Sequence, residues 1–296
     1  MVIATGFFDG VHLGHRFILR QLVEEARRRN DESMVVTFWP HPRNVLQDDA
    51  RNLRLLTSME EKKALIRSLG VDHIEVIPFT KEFCRLSAEE YLRDYIVGKF
   101  GGKAILVGYD NRIGSDQCTP EQTSEIARRL GLDVIRPESF VSDNGIVISS
   151  TKIRNSLQAG EIEEADSMLG YQYQLYGVVV SGNRLGHTIG FPTANMQLYE
   201  PLKLIPGNGV YLVKVETLGR VYDGMCNIGV RPTLGSGNAL TVETNIFDFN
   251  EDIYGLDIRI SFVRKIRNEV KFNDFSVLAS QLEKDRAHCR ILLQEK

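Results

Sequence analysis

The chain changes its pattern of strand and helix signals near its middle, and this change constrains the fold more than any other feature. In the first half, short apolar runs alternate with amphipathic segments, whereas in the second half strand-like runs follow one another closely. Strands that alternate with helices predict βαβ units and a mostly parallel sheet. We therefore expect an α/β domain at 1–169 and a β domain at 170–296, with the boundary near Gly170.

The first half contains both strand runs and helix start signals. The predicted strands are Val2–Thr5, Met34–Phe38, Ile74–Ile77, Ala104–Val107 and Leu132–Ile135. Capping boxes, in which a hydroxyl residue precedes Glu or Gln by three positions, mark helix starts. They are Ser58 with Glu61, Ser87 with Glu90, and Thr119 with Gln122. Gly70 and Gly131 stand where a left-handed residue ends a helix.

A helical stretch, Ile153–Leu169, lies just before the predicted boundary, and strand-like runs follow it. The predicted strands are Leu175–Val180, Val210–Val215, Val221–Cys226, Leu240–Phe247 and Leu256–Val263. In the last of them apolar and polar residues alternate, which is the period of a half-buried antiparallel strand. One amphipathic helix, Ser276–Leu293, follows.

Charge and cysteine content exclude several classes of protein. The formal net charge of −3 offers no basic field for nucleic acid or an anionic membrane. The four cysteines are far apart and form no CxxC pair, which disfavours a zinc site or a disulfide framework. No signal-peptide pattern or membrane-length apolar run is present. We expect a cytoplasmic protein with small-molecule substrates, and the sequence leaves its oligomeric state open.

The segment GFFDGVHLGH at 6–15 follows the first predicted strand and opens a helix. Glycines in such a turn let backbone N–H groups and the helix N-terminus approach a phosphate. His12 and His15 are three residues apart, so both can face one point and donate hydrogen bonds to a phosphate that gains charge during attack. The alternative is a histidine-containing structural turn. The pattern resembles the nucleotidyltransferase superfamily, which releases pyrophosphate from a triphosphate.

A second phosphate signature, SSTKIR, stands at 149–154. Ser150 and Thr151 can cap a helix or bind a phosphate, and Arg154 projects from the first turn. A helix cap alone would be the simpler interpretation. Together with the histidine turn, the segment resembles the second phosphate arm of a nucleotidyltransferase. This resemblance implies that Ser150, Thr151 and Arg154 hold the triphosphate and neutralise the leaving pyrophosphate.

The second half carries its own candidate site in a glycine-rich segment that ends in GFPTAN at 190–195. It lacks the GK[ST] ending of a Walker A loop. Thr193 and Asn195 offer hard oxygen ligands for Mg²⁺ carrying a nucleotide phosphate. Glu243 lies inside the apolar run Leu240–Phe247. It is either a satisfied edge residue or, beside Mg·ATP, a general base for a substrate hydroxyl.

These segments, with NIGVRPT at 227–233, resemble the prokaryotic bifunctional riboflavin kinase/FMN adenylyltransferase (FAD synthetase) family over essentially the whole chain. The resemblance implies a Rossmann-like nucleotidyltransferase domain with a parallel sheet, then a six-stranded antiparallel β-barrel kinase domain with a terminal helix. It implies that the barrel phosphorylates riboflavin to FMN with ATP and Mg²⁺. The first domain would then adenylylate FMN to FAD and release pyrophosphate.

The resemblance also implies roles for individual residues. Catalytic roles fall to Glu243, His12, His15 and Arg154, and flavin contacts to His41, Asp110, Asn111 and Arg267. ATP and phosphate contacts fall to Gly6, Phe7, Asp9, Gly14, Ser150, Thr151, Gly186, Gly190, Thr193 and Asn195, the last two also binding the metal. Asn111 and Ile113 replace the two phenylalanines of the family's VGxDFRFG loop. Two alternatives are therefore a riboflavin kinase with a weak adenylyltransferase domain and a non-enzymatic flavin-binding regulator.

Overall fold

The computed structural model describes residues 1–41, 53–108, 112–138, 140, 148–182, 186, 190–233, 237–272 and 274–295, with the backbone alone at 231–233 and 237–239. It divides into two compact units, Met1–Ser150 and Thr151–Lys296. The division falls before the helical stretch that precedes Gly170, whereas the sequence places the domain boundary after that stretch. Contacts therefore group these helices with the second unit.

The first unit is built on a five-stranded parallel sheet, as predicted. Its strands are β1 (Val2–Thr5), β2 (Ser33–Trp39), β3 (His73–Pro78), β4 (Ala104–Leu106) and β5 (Asp133–Ile135). The order is β3-β2-β1-β4-β5, and every neighbouring pair is parallel. The strand order reverses beside β1, and ligands of such sheets bind at the carboxyl ends of the strands at this point.

Helices cover the sheet. They are α1 (Leu13–Arg28), α2 (Met59–Arg67), α3 (Ala88–Tyr91, continuing as a π-helix at Leu92–Lys99) and α4 (Pro120–Arg129). All three predicted capping boxes are formed, and Gly70 and Gly131 adopt left-handed φ angles of 85° and 81°. The sequence did not predict the π-helical stretch, in which the N–H of Phe100 donates to the carbonyl of Tyr95.

The core of the first unit lies on both faces of the sheet. Alternate residues of β1 point to opposite faces, so Ile3 packs in one cluster while Val2 and Ala4 pack in the other. Burial on both faces explains why these strands read as apolar runs rather than as alternating patterns.

The second unit is a closed antiparallel barrel preceded by α5 (Ser150–Ala159, whose first residue belongs to the first unit) and α6 (Ile162–Leu169). Its strands are β6 (Gln174–Val180), β7 (Ala194–Leu198), β8 (Gly209–Thr217), β9 (Arg220–Thr233), β10 (Gly237–Ile246) and β11 (Asp257–Arg267). They close in the order β10-β7-β6-β11-β8-β9. The predicted barrel is confirmed, and closure leaves no edge strand exposed.

Strand β7 has no counterpart among the runs predicted from the residues. Its sequence ANMQL contains no apolar run, and only Met196 of the strand is buried. It pairs with β6 and with β10, so its conformation depends on neighbours that are distant in the chain.

The terminal helix α7 (Phe275–Gln294) packs against the barrel. Its Cys289 is buried in a cluster with Phe191, Val210 and Met225, and Leu282 and Leu293 pack against that cluster. Within the described residues, no helix combines the length and the apolar character needed to cross a membrane.

Candidate active sites

The turn after β1 is held in an unusual backbone conformation. Phe8 and Val11 have positive φ angles of 50° and 36°, and Gly10 between them has a φ of 79°. Non-glycine residues in this region cost conformational energy and cluster at functional sites. Backbone bonds tie the start of the turn to β2, since the N–H of Gly6 donates to the carbonyl of Val36 at 3.0 Å.

Asp9 anchors this turn from inside the protein. Its carboxylate is 3% exposed and accepts the backbone N–H groups of Leu56 and Thr57 at 3.1 and 3.2 Å. The carbonyl of Asp9 accepts the hydroxyl of Ser150 at 3.0 Å. Asp9 and Ser150 therefore fix the turn, a role that the sequence did not reveal. Their predicted contacts with ATP stay predictions.

His12 and His15 are brought together as predicted. Their rings stack at 3.6 Å between centroids with an interplanar angle of 18°. The Nδ1 atom of His12 accepts the backbone N–H of His15 at 3.4 Å, which assigns the proton of the neutral ring to Nε2. Gly14 permits this arrangement, because a Cβ atom there would lie 3.3 Å from the His12 ring.

The environment of His15 favours its neutral form. Burial holds the pKa of His15 well below its ordinary value, and the electrostatic effects of neighbouring His12 and Lys62 lower it further. Nδ1 of His15 is buried and finds no hydrogen-bond partner in the described parts of the chain. A phosphate oxygen at this position would supply one.

Lys62 of α2 belongs to the same cluster, and the sequence analysis missed it. Its side chain is 1% exposed, and Nζ donates to the carbonyl of Phe7 at 2.8 Å and lies 3.8 Å from the centre of the Phe7 ring. It stands in the charged run EEKK at 60–63, a pattern typical of a solvent-exposed helix face. The detectable signal was its spacing of four from Ile66, which places both on the buried face of α2.

The predicted flavin-side residues of the first unit are only partly described. His41 packs edge-on against the Phe7 ring, with 3.8 Å between ring centroids. Asp110 and Asn111 lie outside the described residues. Ile113, one of the two departures from the family loop, is 7% exposed and packs in the core.

Thr151 and Arg154 lie on α5 beyond the division between the units. Thr151 is exposed and Arg154 is partly buried. Their predicted contacts with the triphosphate stay predictions.

In the barrel, three polar residues lie side by side on neighbouring strands. Glu243 of β10 is directly opposite Asn195 of β7 and also directly opposite Asn227 of β9. Residues directly opposite one another project to the same face of a sheet. Asn227 opens the NIGVRPT segment, but it was not named among the predicted site residues.

These side chains line a cleft of about 270 Å³. The cleft brings together the predicted residues Gly186, Thr193, Asn195, Glu243 and Arg267 with Asn227. A second cleft of about 260 Å³ lies beside it, and Thr193 lines both. Thr193 thus lies between the two clefts.

Close backbone approaches explain the glycines of this site. A Cβ atom on Gly182 would lie 2.3 Å from the side-chain nitrogen of Asn195, and one on Gly186 would lie 2.2 Å from the carbonyl oxygen of Phe191. The N–H of Phe191 donates to the carbonyl of Gly186 at 2.8 Å. Gly190 adopts a left-handed φ of 80°. Larger side chains at Gly182 and Gly186 would therefore collide with these neighbours, and one at Gly190 would strain the backbone.

The donor set beside Glu243 fits a hard divalent cation. Thr193 supplies a hydroxyl and Asn195 an amide oxygen at the same cleft. Magnesium takes a few protein oxygens and completes its octahedron with phosphate oxygens and water. Because the nucleotide phosphates supply the negative charge, neutral ligands from the protein suit this metal ion.

Arg267 lines the cleft but is engaged with α7. Its Nη2 donates to the Asp285 carboxylate at 2.8 Å and its Nε donates to the same group at 3.0 Å. Asp285 is 3% exposed and also accepts the Gln281 amide at 2.9 Å. Arg267 therefore joins β11 to α7 at the cleft wall, and its predicted flavin contact stays a prediction.

Comparisons with known proteins match the two halves of the chain to two different family models. A family model described as FAD synthetase matches residues 1–152, and one described as riboflavin kinase matches residues 169–293. The bifunctional riboflavin kinase/FMN adenylyltransferase of Listeria monocytogenes is 37% identical over 98% of this chain and 91% of that protein. The enzyme of the same name from Bacillus subtilis is 37% identical over 96% of this chain and 90% of that protein.

A solved structure shares the fold. A protein named macrolide-efflux protein, from Streptococcus pneumoniae, has a crystal structure with a TM-score of 0.88 to this chain. It is 33% identical, and the match covers 98% of this chain and 93% of that one.

Proposed function

Because the chain belongs to the family of bifunctional riboflavin kinase/FMN adenylyltransferases, we propose that its two units catalyse successive steps of flavin cofactor synthesis at the residues described above. The barrel transfers the γ-phosphoryl group of ATP to the ribityl 5′-hydroxyl of riboflavin, giving FMN and ADP. The first unit then joins the FMN phosphate to the α-phosphorus of a second ATP, giving FAD and pyrophosphate.

The kinase assignment depends on the position of Glu243 beside Asn195. The Glu243 carboxylate accepts the proton of the attacking hydroxyl while the γ-phosphorus leaves the bridging oxygen of ADP. Thr193 and Asn195 hold Mg²⁺, which neutralises the negative charge of the phosphates when it is bound. The two clefts that meet at Thr193 give flavin and nucleotide separate spaces.

The adenylyltransferase assignment depends on the stacked His12 and His15 rings at the end of β1. A phosphate oxygen of FMN attacks the α-phosphorus, and the bond to the leaving pyrophosphate breaks. N–H groups of the two imidazoles donate to the α-phosphate oxygens as their charge grows. The low pKa of His15 suits this task, because a neutral ring donates without holding the ground-state triphosphate as an ion pair.

A single time course tests both halves. The purified chain is incubated with riboflavin, ATP and Mg²⁺, and the flavins are separated by chromatography. We expect FMN to appear first and FAD to follow it. FMN without FAD would contradict the second step and favour a kinase with an inactive first unit. Binding of flavin without any product would favour the regulatory alternative.

The proposal also specifies the substrates, the partners and the cellular compartment of the protein. Riboflavin, FMN and ATP are the substrates, and the net charge of −3 supports a protein without nucleic-acid or membrane partners. Because both steps consume ATP, we place the protein in the cytoplasm. Replacing Mg²⁺ by Ca²⁺ in the time course tests the ion, since Ca²⁺ has longer bonds and a looser geometry.

A further inference from the structure

Lys62 is a buried ammonium group beside the histidine pair. A charged amine is costly to remove from water unless it gains compensating partners. Among the described residues no carboxylate lies within salt-bridge distance of Lys62, and its polar partner is the carbonyl of Phe7. Since α2 offers apolar residues at neighbouring buried positions such as Ile66, packing alone does not require a lysine here.

The carbonyl of Phe7 is the point through which Lys62 acts on the turn. It accepts Lys62 Nζ at 2.8 Å and the Thr37 hydroxyl at 3.2 Å. In a planar trans peptide the C=O and the following N–H point in opposite directions. Fixing the carbonyl of Phe7 toward α2 and β2 therefore directs the N–H of Phe8 to the other side of the turn and polarises it as a donor.

Lys62 also acts on His15 through its charge. Burial, His12 and Lys62 each lower the pKa of His15. Burial lowers the pKa of Lys62, and the attraction of Asp9 opposes this change. Among its charged and titratable neighbours Asp9, His12 and His15, Lys62 is therefore a cation below about pH 8, while His15 is a neutral ring.

We propose that Lys62 is a positioning residue of the adenylyl-transfer site, which orients the Phe7–Phe8 peptide toward the triphosphate and places a positive charge beside the histidine pair. This inference rests on the proposed function of the first unit. The simpler alternative is a lysine that only ties α2 to the turn. The two differ in what the charge contributes beyond the hydrogen bond.

Two substitutions separate the charge from the hydrogen bond. Lys62→Gln retains a donor for the carbonyl of Phe7 without a charge, whereas Lys62→Met retains neither. We expect both to lower kcat/KM for FAD formation from FMN by about 10²-fold, the effect of removing one preorganised donor or charge. Lys63→Gln is the control, because it removes the neighbouring, less buried charge that pairs with the exposed Glu60. Trp39 lies on β2 in the same unit as Lys62, so its fluorescence reports that the first unit of each variant is folded.

The pH profile gives a readout that a purely structural lysine would not change. Burial lowers the pKa of Lys62 to about 8. In the wild-type chain kcat/KM for FAD formation should therefore fall as the pH rises through about 8, because this ratio reports groups of the free enzyme. The Lys62→Gln profile should lack this decline. Titration of the His15 resonances by NMR should show a higher pKa in Lys62→Gln.

The outcomes distinguish this inference from the function on which it rests. If the wild-type chain converts FMN to FAD and Lys62→Gln matches it in rate and pH profile, the positioning role is wrong and the function stands. If Lys62→Gln is active and Lys62→Met is not, the hydrogen bond alone matters. If the wild-type chain makes no FAD, the proposed function of the first unit is wrong.

Discussion

Glu243 on β10 lies directly opposite Asn195 on β7 in the closed barrel. The proposed base and the proposed metal ligand are therefore fixed by strand pairing rather than by a mobile loop. Asn227 continues the same row on β9. Phosphoryl transfer depends mainly on positioning and charge neutralisation, so a rigid row of this kind suits the reaction.

Replacing Glu243 tests the base. Glu243→Gln preserves size and hydrogen bonding but removes the proton acceptor, so kcat for FMN formation should fall by about 10²- to 10⁴-fold. Conversion of supplied FMN to FAD should be unchanged, as measured by chromatography of the flavins. Loss of both activities in this variant would contradict two independent centres.

Replacing His12 should have the opposite effect. His12→Ala removes one imidazole donor and should reduce FAD formation by about 10²- to 10³-fold, while riboflavin phosphorylation continues. His12 also caps α1 through its Nδ1 atom. His12→Asn is therefore the matched control, since asparagine is a good helix cap without an imidazole. Recovery of FAD formation in His12→Asn would assign His12 a structural role only.

The sequence predicted those features that depend on neighbours in the chain. The capping box of Ser58 with Glu61 is formed, and the turn of His12 and His15 follows β1, because each depends on residues within a few positions. Strand β7 and the roles of Lys62 were missed. Each depends on residues far away in the chain, namely the strands β6 and β10 for β7 and the carbonyl of Phe7 for Lys62.

The prediction of site residues was limited in the same way, because contacts between distant parts of the chain decide what each residue does. Residue types identified Thr193, Asn195 and Glu243 as candidates, and the barrel brings them to one cleft. Residue types did not indicate that Asp9 accepts backbone N–H groups or that Arg267 is paired with Asp285. A charged residue in a motif can serve a ligand or the fold, and only the tertiary contacts distinguish these uses.

Gly182 provides a test of how precisely Asn195 must be placed. A Cβ atom at Gly182 would lie 2.3 Å from the Asn195 side-chain nitrogen, so Gly182→Ala displaces that side chain. Because a flexible side chain can move aside, stability should change little. A misplacement of about 1 Å can cost about 10²-fold in rate. We expect FMN formation to fall and its Mg²⁺ requirement to rise, approaching the behaviour of Asn195→Ala. FAD formation from FMN serves as the internal control.

The buried position of His15 predicts acid sensitivity of the first unit. Its pKa is lowered in the folded chain, so on acidification the unfolded chain takes up the proton first. Stability should therefore be complete above the unfolded value of about 6.5 and decline below it, by at most about 1.4 kcal/mol per pH unit. Trp39 is the only tryptophan and lies on β2, so its fluorescence during urea unfolding reports this unit.

Two histidine variants test this prediction, one at a buried position and one at an exposed position. His15→Gln should reduce the loss of stability between pH 6.5 and 5, whereas His288→Gln, at an exposed position of α7, should not. An unchanged pH dependence in His15→Gln would show that other groups cause the acid sensitivity.

The ion pair of Arg267 with Asp285 should stabilise the contact between the barrel and α7, because each charge offsets the cost of burying the other. Arg267→Met leaves the Asp285 carboxylate, which is 3% exposed, without its cation. Breaking a buried pair in this way costs about 3–5 kcal/mol, whereas replacing both partners by apolar residues is often nearly neutral. We therefore expect calorimetry to show a large fall in Tm for Arg267→Met and a partial recovery in Arg267→Met/Asp285→Leu.

Arg264→Met is the control on the same strand, because its pair with Glu163 is exposed and should contribute less than about 1 kcal/mol. Equal effects of Arg267→Met and Arg264→Met would show that burial of Asp285 does not govern this contact.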